Sequence, residues 1–390
     1  MKLAVFVIRD IKFDRRQVAL IIFMFKTNIS KLFTAAFLTT SVVISISCSG
    51  QKMGQGDGDS SGGAIRLQGT GSTFVKPMMD KWTSEFGKLN PSIRIDYTST
   101  GSGAGIKGIQ NRTVDFGGTD AAMTDDEIRQ TSEGEIVHIP VVLGAVVMTY
   151  NLASVKEPLK LTPALISDIY LGKVRKWNDD RIKAENPGVQ LPPNDITPVF
   201  RADGSGTSDV FTDYLSKTVP EWKEKVGRTK NPQLPPGVGI GGKGNEGVMG
   251  QVGNTPNAIG YVELTFAKAN NLPTALVKNK SGNYIEPNSD SVTHAADGMA
   301  EAMPEDLRFE ITDAEGENAY PISGIVYMLV YKDQRDAGKG KALADFLWWA
   351  INDGEQYVRD LHYAPIPPKL VERSEQKINS LSNGGSPLRQ

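Results

Sequence analysis

Four short segments of this chain combine glycines with hydroxyl side chains where a strand pattern gives way to a helix pattern. They are Gly69-Thr-Gly-Ser-Thr73-Phe, Thr100-Gly-Ser102-Gly-Ala-Gly105, Asp115-Phe-Gly-Gly-Thr-Asp120 and Gly204-Ser205-Gly206-Thr207. Glycine lets the backbone approach a ligand closely, and the first N–H groups of a helix have no intrahelical acceptor. The positive end of the helix dipole points the same way, so such a terminus holds an anion without Lys or Arg. Thr73, Ser102, Ser205 and Thr207 add hydroxyl donors. One such turn alone is an ordinary helix cap, whereas four in one chain point to a shared oxyanion site.

The third segment carries an acid where an anion site would reject one. Asp120 accepts a hydrogen bond from an oxyanion that still holds a proton, which phosphate offers at neutral pH and sulfate does not. A fully deprotonated anion leaves like charges unpaired there, which disfavours it. Arg201, two residues before Asp203, has a planar fork suited to a tetrahedral anion, and Asp203 is placed to hold that fork.

Other chemistries fit less well. No segment reads G-x-x-x-x-G-K-[ST], and Gly69–Phe74 does not complete G-x-G-x-x-G with an acid beyond. A secreted hydrolase with Ser205 as nucleophile would need a general base, and Asp-Gly-Ser205-Gly-Thr lacks the G-x-S-x-G frame. The three histidines are His138 beside an apolar strand, His294 in a polar loop, and His362. Asp57, Asp59 and Ser61 resemble the start of a calcium loop, but Gln68 at the twelfth position supplies no bidentate carboxylate. The single Cys excludes an intrachain disulfide and a Cys-based zinc cluster. No cofactor is expected.

The elements that must position these segments alternate short apolar runs with helical patterns over a chain of 390 residues, long enough for two or three domains. Ile65–Gln68 predicts a strand, followed by a helix carrying Met78, Met79, Trp82 and Phe86 on one face. Ile93, Ile95 and Tyr97 alternate as a second strand, and Val114–Phe116 predicts a third. Thr124-Asp-Asp-Glu127 forms a capping box, and Thr162-Pro163 caps another helix. Phe200 leads into the Arg201 segment and a helix with Val210, Phe211, Tyr214 and Leu215 on one face. Ile259–Val262 and Ile322–Tyr331 predict later strands, and Ala342–Ile351 a late helix. The pattern implies an α/β fold with mainly parallel pairing. Val141–Tyr150 is long enough to pass from one lobe to another and Ile322–Tyr331 offers the return, so two α/β lobes are expected, joined by a two-crossing hinge. The absence of a 20–50-residue repeat disfavours solenoids and propellers.

Residues 1–47 read as a secretory signal, with Lys26 and Lys31 before Leu32–Leu38 and a small-residue stretch before Cys48. Met24 is the expected true start, and Cys48 the expected lipidation point, although Ser45 stands where an aliphatic residue is usual. Residues 48–64 are expected to form a lipid-anchored flexible tether, too poor in apolar side chains to offset ordering entropy. Whole-chain charge is 43 minus 45, or −2, with no basic excess to suggest nucleic acid. Removing residues 1–47 removes seven basic and two acidic residues, leaving 36 minus 43, or −7.

The segments Gly69–Phe74, Gly101-Ser102-Gly, Val114–Asp120 and Arg201-Ala-Asp-Gly-Ser-Gly-Thr-Ser208 resemble, in order, the four binding segments of the periplasmic phosphate-binding proteins of bacterial ABC-type phosphate uptake (Pst) systems. Tyr170–Trp177, Gly241–Asn245 and Ile259–Glu263 are similar to that family as well, and the resemblance spans about Ile65 to Pro365. It implies a periplasmic-binding-protein-like fold, with lobe 1 at 65–145 plus 325–380 and lobe 2 at 146–324. Carried over residue by residue, it implies phosphate ligands Ser72, Thr73, Phe74 through its N–H, Ser102, Asp120, Arg201, Ser205, Gly206 and Thr207, with Asp203 in support. It further implies a monomer that binds inorganic phosphate without turnover, in the periplasm or on the outer face of the cytoplasmic membrane, and meets ABC permease subunits. The alternatives are a receptor for sulfate or molybdate and a secreted serine hydrolase.

Overall fold

The computed structural model describes residues 64–297 and 303–389. The expected signal 1–47, with Met24, and the tether from Cys48 to residue 63 lie outside the described residues. The chain divides into Met1–Ser61 and Gly62–Gln390, and every element below belongs to the second unit.

Strands β1 (Ile65–Gly71), β2 (Ile93–Ser99), β3 (Phe116–Thr119) and β4 (Ile136–Tyr150) come first in the chain. They are followed by β5 (Lys160–Leu161), β6 (Thr197–Arg201), β7 (Ile240–Gly242) and β8 (Ala258–Glu263), then β9 (Leu276–Lys278), β10 (Tyr284–Ile285) and β11 (Ser323–Tyr331). Eight of them form one sheet in the order β2-β1-β3-β11-β4-β8-β6-β7, while β10-β9-β5 form a small separate sheet. Two parallel trios, β2-β1-β3 and β8-β6-β7, flank the antiparallel strands β11 and β4.

Pairing is therefore mixed rather than mainly parallel. The reason lies in the crossings: β4 pairs with β11 through Ile136–Ala145 and with β8 through Val146–Tyr150. The chain passes from one α/β lobe to the other along β4 and returns along β11, so the two crossings run in opposite directions. Both are buried almost end to end, as continuous apolar strands must be.

The helix Lys76–Leu89 buries Met78, Met79, Trp82 and Phe86 as their spacing predicts. Each such side chain contributes about 1.5–3 kcal/mol when fully buried. Thr124 and Glu127 make the reciprocal capping box, and Thr162 caps Pro163–Tyr170 by accepting from Leu165 N–H. Helix Gly206–Thr218 is buried without interruption from Gly206 to Leu215, so it is covered on more than the predicted face. Phe211 on this helix stacks on Tyr261 of β8 with centroids 4.2 Å apart. His294 is exposed on the helix Ser289–Asp297 rather than in a loop.

The glycine-rich segments differ from expectation in a way that matters for the site. Strand β1 continues through Gly71, and β3 covers Phe116–Thr119 instead of Val114–Phe116. Their glycines lie under the helix Ser102–Gln110, which sits directly on the strands. A Cβ on Gly105 would stand 2.5 Å from Gly118 O and 2.8 Å from Gly71 Cα. Side chains at these positions would lift the helix off the sheet and carry Ser102 away with it.

Candidate functional site

The two parallel trios aim the carboxyl ends of their strands at one another. Immediately after β1 come Ser72 and Thr73, after β2 the helix start at Ser102, and after β3 Asp120. From the other lobe, β6 ends on Arg201 and leads through Asp203 and Ser205 into Gly206–Thr218, while β7 leads into the helix Gly244–Asn254. Open α/β sheets place ligands at this kind of location.

Asp120 is the centre of the resulting cluster. Its Oδ1 accepts from Ser72 Oγ, and its Oδ2 accepts from Ser102 Oγ at 3.3 Å and from Thr207 Oγ1 at 3.4 Å. Ser72, Ser102 and Asp120 are carried by the first trio and Thr207 by the second, so the carboxylate bridges the lobes. It is 3% exposed. Burial pushes its pKa up to about 6, against the opposing pull of the Ser72 hydrogen bond, the Arg201 charge, and the Ser102 and Thr207 hydroxyls.

Arg201 and Asp203 form a two-point ion pair, Nε to Oδ1 at 2.8 Å and Nη2 to Oδ2 at 2.6 Å. The remaining nitrogen, Nη1, donates to Thr207 Oγ1 at 3.1 Å. Asp203 is itself held by Gly244 N–H at 3.0 Å. Burial alone would raise the Asp203 carboxyl, but the Arg201 hydrogen bonds and charge bring it below the usual range. Unlike an exposed i,i+2 pair, this one fixes the guanidinium plane, because Arg201 is buried and its fork is engaged on one side.

Ser205 caps Gly206–Thr218 by accepting from Ser208 N–H at 3.0 Å, which leaves its hydroxyl hydrogen free to donate elsewhere. The N–H groups of Gly206 and Thr207 are first-turn amides of that helix. Phe74 is fully buried, with its carbonyl accepting from Tyr363 Oη at 2.6 Å. A Cβ at Gly206 would clash with Ser102 Oγ and come within 2.7 Å of Asp120 Oδ2, so only glycine permits this approach of the two lobes. Gly103 N–H donates to Gly204 O at 2.9 Å across the same junction. Two outer ion pairs also span it, Lys230 to Glu127 at 3.0 Å and Arg308 to Asp125 at 2.8 Å.

Thus Ser72, Thr73, Ser102, Asp120, Arg201, Asp203, Ser205, Gly206 and Thr207, expected from the sequence to act together, are brought to one buried junction. The histidines are not part of it. His138 lies within β4, accepts from Met123 N–H at 3.1 Å, and is driven down to about pKa 3 by burial and the Arg308 charge, with Asp306 opposing.

Two polar residues at the junction escaped the residue-level reading. Asn245, fully buried, donates from Nδ2 to Thr73 Oγ1 at 2.9 Å and to Thr207 Oγ1 at 3.2 Å. Glu263, also fully buried, accepts from Thr265 N–H and hydroxyl, and its Oε2 lies 3.3 Å from Tyr363 Oη. Burial drives its carboxyl well above the ordinary range, and the nearby Asp120 charge adds to that. Both sit in segments that resemble the family, Gly241–Asn245 and Ile259–Glu263. Lys243 and Thr265 stand two residues away from them, but the partners that bring them to the junction, Thr73, Thr207 and Tyr363, lie far off in the chain, where spacing does not point.

The model of the PBP superfamily domain matches residues 55–353. The phosphate-binding protein PstS of Xylella fastidiosa strain 9a5c is 39% identical over 314 residues, covering 80% of this chain and 84% of that one. The chain belongs to the PstS family. A PstS of Methanocaldococcus jannaschii is 35% identical over 363 residues, 87% of this chain and 92% of its own length. Among solved structures, the phosphate-binding protein of Stenotrophomonas maltophilia aligns over 83% of this chain and 96% of its own with a TM-score of 0.66 at 18% identity. That likeness shows the fold, a periplasmic-binding-protein-like pair of α/β lobes.

Proposed function

We propose that this protein binds inorganic phosphate at the Asp120 junction, outside the cytoplasmic membrane, and delivers it to an ABC-type importer. The observation that carries the reading is one buried carboxylate set among hydroxyl donors from both lobes and beside an oriented Arg201. A site made only of donors would take any tetrahedral dianion. One acceptor in the middle requires a ligand with a proton to give, and phosphate at neutral pH has one. Family membership supports the same ligand, since the relatives matched here bear the name phosphate-binding protein.

Binding follows from the groups already placed. Ser72, Thr73, Ser102, Ser205 and Thr207 donate hydroxyl hydrogens. Phe74 and Gly206 donate backbone N–H, and Arg201 offers Nη1 while Asp203 keeps its plane fixed. Asp120 accepts the anion's proton. Closure of the lobes, 65–145 plus 325–380 against 146–324, removes water, and each hydrogen bond to the anion gains strength in the lower dielectric. No chemical step is involved: Ser205 serves as a cap and donor, and His138 is spoken for by Met123 N–H.

Residues 1–47 act as the export signal and Cys48 as the lipid-anchored start of a tether. Among the described residues no helix is long and apolar enough to cross a membrane. The protein works as a monomer that presents its closed form to permease subunits.

Isothermal titration of the mature chain with phosphate, sulfate and molybdate, beside a phosphatase assay, tests this reading. Tight phosphate binding without turnover is expected. Equal binding of sulfate or molybdate, or hydrolysis of a phosphate ester, contradicts it.

A further inference from the structure

We propose that Asn245 is a positioning residue that turns the Thr73 and Thr207 hydroxyls into obligate donors toward the bound anion. The inference rests on the oxyanion reading above and adds a residue that the reading does not use.

A threonine hydroxyl has one hydrogen and two lone pairs. Thr73 Oγ1 accepts twice from one residue, from Asn245 N–H at 3.1 Å and from Asn245 Nδ2 at 2.9 Å. Thr207 Oγ1 accepts from Arg201 Nη1 at 3.1 Å and from Asn245 Nδ2 at 3.2 Å. Both lone pairs of both hydroxyls are then occupied by N–H donors, and each hydrogen must point elsewhere. For Thr207 that direction is Asp120 Oδ2, the centre of the site. A hydroxyl left unconstrained rotates to accept as readily as to donate, so fixing it as a donor favours an anion over a neutral or donating ligand.

The orientation of the amide is itself determined by the fold. Asn245 Oδ1 accepts from Glu263 N–H of β8 at 2.9 Å, and a backbone N–H can only donate. Oδ1 must therefore face β8, which turns Nδ2 toward the two threonines. Gly244, with φ of +71°, makes the left-handed turn out of β7 that brings Asn245 into the first turn of its helix. Thr73 and Thr207 come from different lobes, so one amide sets the donor sense of both halves of the site at once.

A double-mutant cycle on phosphate affinity tests the role, with Asn245→Ala measured in the wild-type background and in the Thr73→Val/Thr207→Val background. If Asn245 acts through the hydroxyls, the substitution weakens phosphate by about tenfold to a hundredfold in the first background and by less than about threefold in the second. Equal losses in both backgrounds, or none in the first, overturn the proposal. Should the alanine variant fail to fold, Asn245→Asp gives a second reading. Its carboxylate accepts the hydroxyl hydrogens and withdraws them from the anion, and protonation relieves this. The ratio of variant to wild-type Kd is then large at pH 8 and shrinks toward pH 5, whereas a pH-independent ratio overturns the proposal. Wild-type protein that binds no phosphate overturns the phosphate reading itself, and wild-type binding with an additive cycle overturns only the part assigned to Asn245.

Discussion

Replacing Asp120 with Asn separates acceptance of a proton from mere burial of a polar group. The substitution keeps the shape of the side chain and the acceptor Oδ1 facing Ser72, but exchanges an acceptor at Oδ2 for a donor. In the wild-type site a sulfate dianion would set an acceptor against a carboxylate that is 3% exposed. An unsatisfied buried charge of this kind costs roughly 3–5 kcal/mol, or about two to four orders of magnitude in affinity. Asn removes that cost. Phosphate loses a charge-assisted hydrogen bond of about 1.5–3 kcal/mol but also loses a like charge, so its affinity falls by only about tenfold. Selectivity for phosphate over sulfate should collapse by at least about a thousandfold, most of it through sulfate gained. Paired titrations of both anions at pH 7.5 and fixed ionic strength measure this, and a selectivity ratio unchanged within threefold refutes the role of Asp120. Stability supplies an independent check. Asp120 has its folded pKa raised from 3.8 to about 6, so the folded state binds more protons than the unfolded state between those values and loses stability as pH rises through them. At 1.36 kcal/mol per unit the cost above pH 6 is about 3 kcal/mol. Asn Nδ2 would face the Ser102 and Thr207 hydroxyls that donate to Oδ2, an offset that does not vary with pH. The stability of the ligand-free Asp120→Asn variant relative to wild type should therefore fall by up to about 3 kcal/mol between pH 7.5 and pH 4.

Gly206→Ala places a methyl group between Ser102 Oγ and Asp120 Oδ2 and should weaken phosphate at least about tenfold while shifting ligand-free Tm by no more than a few degrees. Calorimetry of both quantities checks this, and unchanged affinity contradicts the close approach. The folded pKa of His138 is depressed from 6.5 to about 3, so its contribution is intact well above pH 6.5 and lost as pH falls, by about 2.3 kcal/mol between pH 6.5 and 4.5. His138→Gln, which keeps an acceptor for Met123 N–H, should flatten denaturant-derived stability by that amount over the same interval. Phosphate affinity should change less than about threefold between 50 and 500 mM salt, because residues 48–390, with a net charge of −7, gain no bulk attraction and the ligands lie in a buried junction. A steep decline with salt would mean that long-range charge does the recognising.

Much of this site was readable in the chain because its chemistry is local. Ser102, Ser205, Gly206 and Thr207 stand at helix starts, and a helix start declares itself through its own capping residues. Arg201 and Asp203 are two residues apart and meet in the fold. The crossings were visible because a strand buried on both faces is apolar throughout, as Val141–Tyr150 is. What spacing could not show depends on contacts between distant segments. Gly71, Gly105 and Gly118 read as loop glycines, yet they serve helix-on-strand packing that requires β1, β3 and the helix after β2 to be assembled first. The antiparallel pairing of β4 and β11, whose partners are more than 170 residues apart, carries no local turn signal. Asn245 is a similar case: its partners Thr73, Thr207 and Glu263 are scattered over the chain, and only the junction of the lobes unites them.

The most direct test of the central claim is a crystal structure of the mature protein with phosphate at neutral pH. A phosphate oxygen should lie within about 2.5–2.7 Å of an Asp120 carboxylate oxygen, the length of a charge-assisted O–H···O bond. Arg201, Ser72, Thr73, Ser102, Ser205 and Thr207 should donate to the same anion. A phosphate bound elsewhere, or bound here with Asp120 turned away, contradicts the account.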